Sequence, residues 1–183
     1  MMNSKRWMNK IESKQILKDS MLEKINNFCT NKTIADIIHV VNWVTDNWNI
    51  DITLDADIIN GYLQDWSNID GNAIGLCRPK NNVESAIILR IFYNLKIPYT
   101  ISAGRTNLTG SATPLGGFVI SIENLKNLKP RVENNHVISS PGIYLEDMRK
   151  EVLVQTNNKL CYPVDPTSRK EAMIGGTVSC NAS

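Results

Sequence analysis

A strand, a helix and a second strand follow one another between residues 73 and 102, and this run constrains the fold more than any other feature. AIGLC has the unbroken apolar character of a short buried strand, and Arg78-Pro79 ends it. VESAIILRIFYNLKI then sets its apolar residues at helical spacing. Pro98 has no N–H to continue that helix, so YTIS begins the next strand. Such a unit, about thirty residues long, predicts a right-handed crossover whose two strands lie parallel as neighbours.

The flanking segments extend this into an α+β chain. GFVISI reads as another strand, and KPRVE with HVISS as a hairpin joined by Asn134-Asn135, a pair that tolerates positive φ. Pro141-Gly142 breaks the hairpin, YLEDMRKEVLV forms a helix, and CYPVDPTSRKE is rich in turn residues. Upstream, Trp7, Ile11, Leu17, Met21, Ile25 and Phe28 make one apolar stripe over residues 5–29, which predicts an amphipathic helix packed on the body of the protein. A second helix starts at Thr33, whose hydroxyl caps the first turn, and runs through IADIIHVVNWV. His39 within that apolar run reads as a hydrogen-bonded core residue.

Composition excludes several classes. Twenty basic residues against 18 acidic give a net charge of +2, so no global field attracts nucleic acid or an anionic membrane, and no basic face carries interleaved aromatics. Acidic and polar residues interrupt the N-terminus before an apolar run of signal or membrane-spanning length can form. The cysteines, at 29, 77, 161 and 180, show neither CxxC spacing nor the density of a disulfide scaffold. They are expected as reduced thiols of a cytoplasmic protein, with no metal site, and Cys161 and Cys180 as packing residues.

Two stretches carry candidate chemistry. The loop after YTIS contains Gly104, Arg105, Thr106, Asn107, Leu108, Thr109, Gly110 and Ser111. Its two glycines permit tight turns, and its short polar groups allow consecutive N–H groups to converge on an anion such as a diphosphate. Taken alone it reads equally as a surface turn, and Arg105 points either at the anion or into water. It lacks the GxxxxGK[ST] of a P-loop and the GxGxxG of a Rossmann turn. The second stretch runs from Pro163 through Asp165, Pro166, Thr167 and Ser168 to Gly175 and Gly176. Its glycines suit the close approach of another backbone or a flat ring; Asp165 is either a catalytic carboxylate or, with no second acid at a productive spacing, a loop brace.

The order of the motifs is more specific than any one of them. Cys77-Arg78-Pro79-Lys80 with Val83-Glu84, GRTNLTGSATPLGG, SSPGIYLEDM, YPVDPTS and GGTVSCNAS occur in sequence over residues 64–183. This series resembles the vanillyl-alcohol oxidase/p-cresol methylhydroxylase flavoproteins, and within them the glycolate oxidase and D-lactate dehydrogenase branch. The resemblance implies an N-terminal helical segment at 1–63, a first FAD-binding subdomain at 64–172 with a small mixed sheet flanked by helices, and the beginning of a second at 173–183. It implies FAD as cofactor, its diphosphate wrapped by the 104–110 loop and its ribityl chain and ring lying along 165–168 with Gly175 and Gly176. Asn181 falls in the family's NASG motif and takes a cofactor-side role, and Pro141-Gly142 matches a turn supporting the sheet.

The pattern departs from the family at Asn107, where Gly or Ser is usual, at Ser111, where Gly is usual, and at Val164, where a second Pro is usual. Some relatives hold FAD through a His or Cys, but the 103–114 loop has neither, so non-covalent binding is expected. Relatives continue into a second FAD subdomain and a cap domain carrying the catalytic base, so these parts, with an electron acceptor, are the implied partners. The implied reaction is hydride transfer from a 2-hydroxy acid to flavin N5. The alternatives are a non-catalytic module that keeps the fold without holding flavin stably, or a partner-binding arm formed by the first sixty or so residues.

Overall fold

The computed structural model describes residues 16–182. Helix α1, Asp19–Cys29, begins only after Lys18, which is extended at φ −65° and ψ 151°. The continuous helix expected over 5–29 therefore does not run through 16–18, where Asp19 instead opens a new helical N-terminus and suits its positive dipole end. Trp7 and Ile11 lie outside the described residues. Thr33 caps as expected: its hydroxyl accepts from the Ala35 N–H while Asp36 accepts from the Thr33 N–H. This closes a 3₁₀ turn, Ile34–Asp36, that leads into α2, Ile37–Trp48. Val40 and Val44 of α2 point inward, but His39 is exposed, with its ring centroid 5.6 Å from that of Phe28. The expectation of a core histidine was wrong because residues 39, 42 and 46 share the outer, polar face of the helix.

A short strand β1, Ile52–Thr53, and helix α3, Ala56–Asn60, precede the predicted crossover. That unit forms as β2, Gly75–Cys77, α4, Asn82–Leu95, and β3, Tyr99–Ser102. Asn81 caps α4 through the Glu84 N–H, and Lys96 ends it in a left-handed turn at φ 52°, two residues before Pro98. The strands are parallel, but they are not neighbours. Strand β4, Phe118–Ser121, lies between them, giving the order β1-β2-β4-β3 with only β1 antiparallel.

Both faces of the two central strands are buried, as parallel sheets require. Cys77, Phe118 and Ile120 face Ile87, Ile88, Ile91 and Phe92 of α4, with Ile25 of α1 and Val40 of α2 completing that core. Leu76 and Val119, one residue out of phase, face the opposite way onto Ile59, Tyr62 and Leu63. A second layer follows from the hairpin β5, Arg131–Glu133, and β6, His136–Ile138, whose turn places Asn134 at φ 54°. Helix α5, Leu145–Gln155, packs Leu145, Met148 and Val152 against Val132 and Val137 of that hairpin. The short helix α6, Ile174–Ser179, is the last element among the described residues.

Candidate functional site

The carboxyl ends of β3 and β4 open onto a cleft of about 650 Å³. In an open parallel sheet this is where strand ends leave room for a ligand. The loop after β3 forms one wall, and the segment from Pro166 to α6 forms the other.

Hydrogen bonds fix the second wall. The Leu145 N–H donates to Ala172 O at 2.8 Å, Ile174 N–H to Ile143 O at 2.9 Å and Gly175 N–H to Pro141 O at 2.8 Å. The two walls meet at Gly104, where a Cβ would lie 2.1 Å from Glu171 O. Gly104 is thus required for close approach, whereas the left-handed positions of the first wall are Arg105, at φ 54°, and Gly110, at φ 76°.

Within the first wall the amides divide into two sets. Asn107 Oδ1 accepts from the Thr109 N–H at 3.1 Å and the Ser111 N–H at 3.2 Å, Asp65 Oδ2 accepts from Ala112 at 3.3 Å, and Gly110 O accepts from Thr113 at 3.1 Å. The N–H groups of Gly104, Arg105, Thr106, Asn107 and Leu108 meet no acceptor among the described residues. Consecutive open amides next to a left-handed residue are the backbone feature from which anion-binding concavities are built. The first set braces the turn that presents the second.

Asp65 and Tyr62 were not singled out from the sequence, because their partners lie 47 and 61 positions away. Asp65 is buried, which alone would push its carboxyl up. Hydrogen bonds from Ser67, Ala112 and Asn107 outweigh that and hold it below the ordinary value. Tyr62 donates its hydroxyl to Glu123 Oε1 at 2.6 Å, and the Arg105 guanidinium stacks over its ring, 4.7 Å from the centroid. Burial, followed by that bond to Glu123, pushes the Tyr62 phenol up.

The cleft brings together most of the residues expected from sequence. From the first wall Gly104, Arg105, Thr106, Asn107, Leu108 and Ser111 line it; from the second, Pro166, Ser168, Gly175 and Gly176. Thr109, Gly110, Thr167 and Asn181 are not in its lining, and Pro163 borders a separate cleft beside the β5–β6 hairpin. Asp165 does not line it either. Its carboxylate is taken by Arg149 and by Arg169, the latter at 2.8 Å, and Arg169 also reaches Glu146 at 3.1 Å. That arrangement ties the 163–169 loop to α5 and matches the brace rather than the catalytic carboxylate. The Arg149 guanidinium, more than Arg169, holds the exposed Asp165 carboxyl below its ordinary value.

Sequence reasoning missed Ala103, Ala112, Ala172 and Thr177 as lining residues, although small residues in loops beside a glycine pair were the available signal. Cys180 lines the cleft, and both Cys180 and Cys161 are exposed. Their expected packing role fails because α6 ends at Ser179, leaving Cys180 beyond its last turn, and Cys161 sits in an open loop.

The sequence family described as "FAD binding domain" matches residues 73–183. The chain belongs to this family of FAD-binding domains. Two curated relatives of this FAD-binding domain are enzymes. It is 32% identical over 127 residues to D-lactate dehydrogenase of Anaerostipes hadrus, covering 65% of this chain and 26% of that protein. It is 31% identical over 106 residues to glycolate oxidase subunit GlcD of Bacillus subtilis (strain 168), covering 57% of this chain and 22% of that protein. The chain thus spans about a quarter of the length of the curated relatives it matches.

Solved structures with the same fold include p-cresol methylhydroxylase, at a TM-score of 0.64 and 16% identity over 84% of this chain and 31% of that one. Another is 4-ethylphenol oxidase from Gulosibacter chungangensis, with a TM-score of 0.64 and 16% identity over 80% of this chain and 29% of that one. The family read from the motif order is borne out, as is the small mixed sheet flanked by helices. No helix among the described residues is long and apolar enough to cross a membrane.

Proposed function

We propose that the chain holds FAD in the cleft at the carboxyl ends of β3 and β4, as the cofactor-binding part of an oxidoreductase that acts on a 2-hydroxy acid of glycolate or lactate type. The observation that carries this reading is the run of open amides from residue 104 to 108, beside a cleft whose volume falls in the range of about 300–1,000 Å³ typical of cofactor sites. Those N–H groups hold the diphosphate. Asn107 and Asp65 brace the turn that follows them by accepting from the Thr109, Ser111 and Ala112 N–H groups, which limits the reorganisation needed when the anion arrives. Pro166 and Ser168, with Gly175 and Gly176, form the flat wall against which the ribityl chain and ring lie.

When bound, the flavin supplies the hydride-accepting chemistry. The protein side binds, orients and excludes water. Among the described residues the cleft lining contains no carboxylate and no histidine, so these residues hold the cofactor and leave the substrate proton to groups outside this cleft. Attachment is non-covalent, a reading supported by the absence of His and Cys from the 103–114 loop. Cys180 is the thiol that tests it, since it lines the cleft. Free thiols at Cys29, Cys77, Cys161 and Cys180 support a cytoplasmic, reducing setting.

The test is a titration of the purified 183-residue chain with FAD, followed by visible absorbance after desalting. Retained flavin near one per chain, released intact on denaturation, supports the proposal. A colourless chain after desalting refutes stable binding, and flavin that stays with the denatured polypeptide refutes the non-covalent reading.

A further inference from the structure

We propose that Tyr62 is a positioning residue for Arg105, holding its guanidinium at the cleft as a pre-oriented cation that favours diphosphate-bearing ligands over uncharged flavin. This rests on the flavin reading above and adds to it a residue upstream of the segment that the family matches.

The geometry is specific. Arg105 stands in the left-handed region at φ 54°, lines the cleft, and stacks over the Tyr62 ring at 4.7 Å. The ring is fixed on both sides. Its hydroxyl is tied to Glu123 at 2.6 Å, and its body packs into the sheet-side cluster of Ile59, Leu76 and Val119. A π face attracts a cation without cancelling its charge.

Neighbouring arginines are treated differently. Arg78 is paired with Asp51 at 3.0 Å, and Arg149 and Arg169 share Asp165, while Arg105 has no carboxylate partner among the described residues. Glu123, the acid at this corner, is engaged through the Tyr62 hydroxyl. An arginine already stacked surrenders less rotamer freedom on meeting an anion than one free in solvent. The arrangement therefore delivers charge to the mouth of the open-amide run, and its benefit falls to ligands with phosphate charge.

The experiment compares the wild-type chain with Arg105→Gln, Tyr62→Leu, Tyr62→Phe and the Arg105→Gln/Tyr62→Leu double variant. Calorimetric titrations use FAD, ADP and riboflavin at low and high salt. Arg105→Gln and Tyr62→Leu are each expected to weaken FAD and ADP about fivefold, to flatten the salt dependence, and to leave riboflavin unchanged. The double variant should be no weaker than the weaker single variant, because both remove one interaction. Tyr62→Phe keeps the ring and retains most of the affinity. Should Tyr62→Leu fold poorly, Tyr62→Met fills the apolar site without a π face and takes its place.

Wild-type affinity for FAD and ADP in Tyr62→Leu overturns the inference. So does an equal loss of riboflavin binding, which marks a merely structural role. A wild-type chain that binds neither FAD nor ADP overturns the flavin reading and this inference with it; normal wild-type binding with an unaffected Tyr62→Leu overturns this inference alone.

Discussion

Replacing Gly104 with alanine tests the contact between the two walls of the cleft. The added Cβ would lie 2.1 Å from Glu171 O, 3.0 Å from Glu171 C and 3.2 Å from Ala172 Cα. Carbon–oxygen contacts become ordinary only near about 3.3 Å, so the walls must part by roughly 1 Å. Every atom in the way is backbone, which no rotamer change can move. The 171–172 segment is also anchored, with Glu171 N–H on Ser168 O at 2.9 Å, Ala172 N–H on the same carbonyl at 2.8 Å, and the Leu145 N–H on Ala172 O at 2.8 Å.

Overpacking of this kind costs about 1–3 kcal/mol, and straining one of those hydrogen bonds adds about 1 kcal/mol. We expect Gly104→Ala to lose about 2–4 kcal/mol in urea denaturation and to bind FAD weakly even where it remains folded. Gly61→Ala is the control. Its Cβ meets nothing nearer than Ile58 O at 3.7 Å, and its backbone is right-handed, so it should be neutral or more stable by up to about 0.5 kcal/mol. A Gly104→Ala chain within about 0.5 kcal/mol of wild type would mean that the walls do not touch there, and the cleft geometry would fall with that contact.

Asp65→Asn should cost about 1–2 kcal/mol near neutral pH, because a charged acceptor of the Ser67 and Ala112 N–H groups becomes neutral. Since the folded carboxyl is held below its unfolded value, its contribution is complete above about pH 4 and disappears as pH falls through the depressed value; urea midpoints over a pH series should lose that acid-side slope in Asp65→Asn. Asn107→Ala should weaken FAD about tenfold or less by loosening the 109 and 111 amides, read by the same titration. Saturating FAD should slow alkylation of Cys180 and leave Cys161 unchanged, measured by mass spectrometry of labelled peptides, and equal rates would place the cofactor elsewhere. Asp165→Asn should leave FAD affinity within about twofold of wild type, because the brace lies outside the cleft.

Elements whose residues contact near neighbours in the chain were legible. The period of α4, the apolar run of β4 and the Asn134 turn each depend on local spacing or backbone preference, and each formed within a residue or two of expectation. What depends on distant partners was not. Nothing within residues 73–102 says that β4 will lie between β2 and β3, since strand order is decided by which apolar faces meet. In sequence Asn107 stands out only as a departure from the family pattern. Its side chain instead organises the turn, a role visible only once the Thr109 and Ser111 amides are seen to converge on it. Asp65 reads in sequence as one acid in a polar stretch, yet it is buried and holds the Ala112 amide from 47 positions away.

On the proposed reading, those distant contacts let a nearly neutral chain offer a site to an anion. Two acids close to the first wall are occupied: Asp65 by backbone amides and Glu123 by the Tyr62 hydroxyl. The cleft lining presents donors and one arginine, with no carboxylate to repel a phosphate. On that proposed reading, selectivity for a diphosphate comes from where negative charge has been tied down, and a net charge of +2 neither requires nor forbids it.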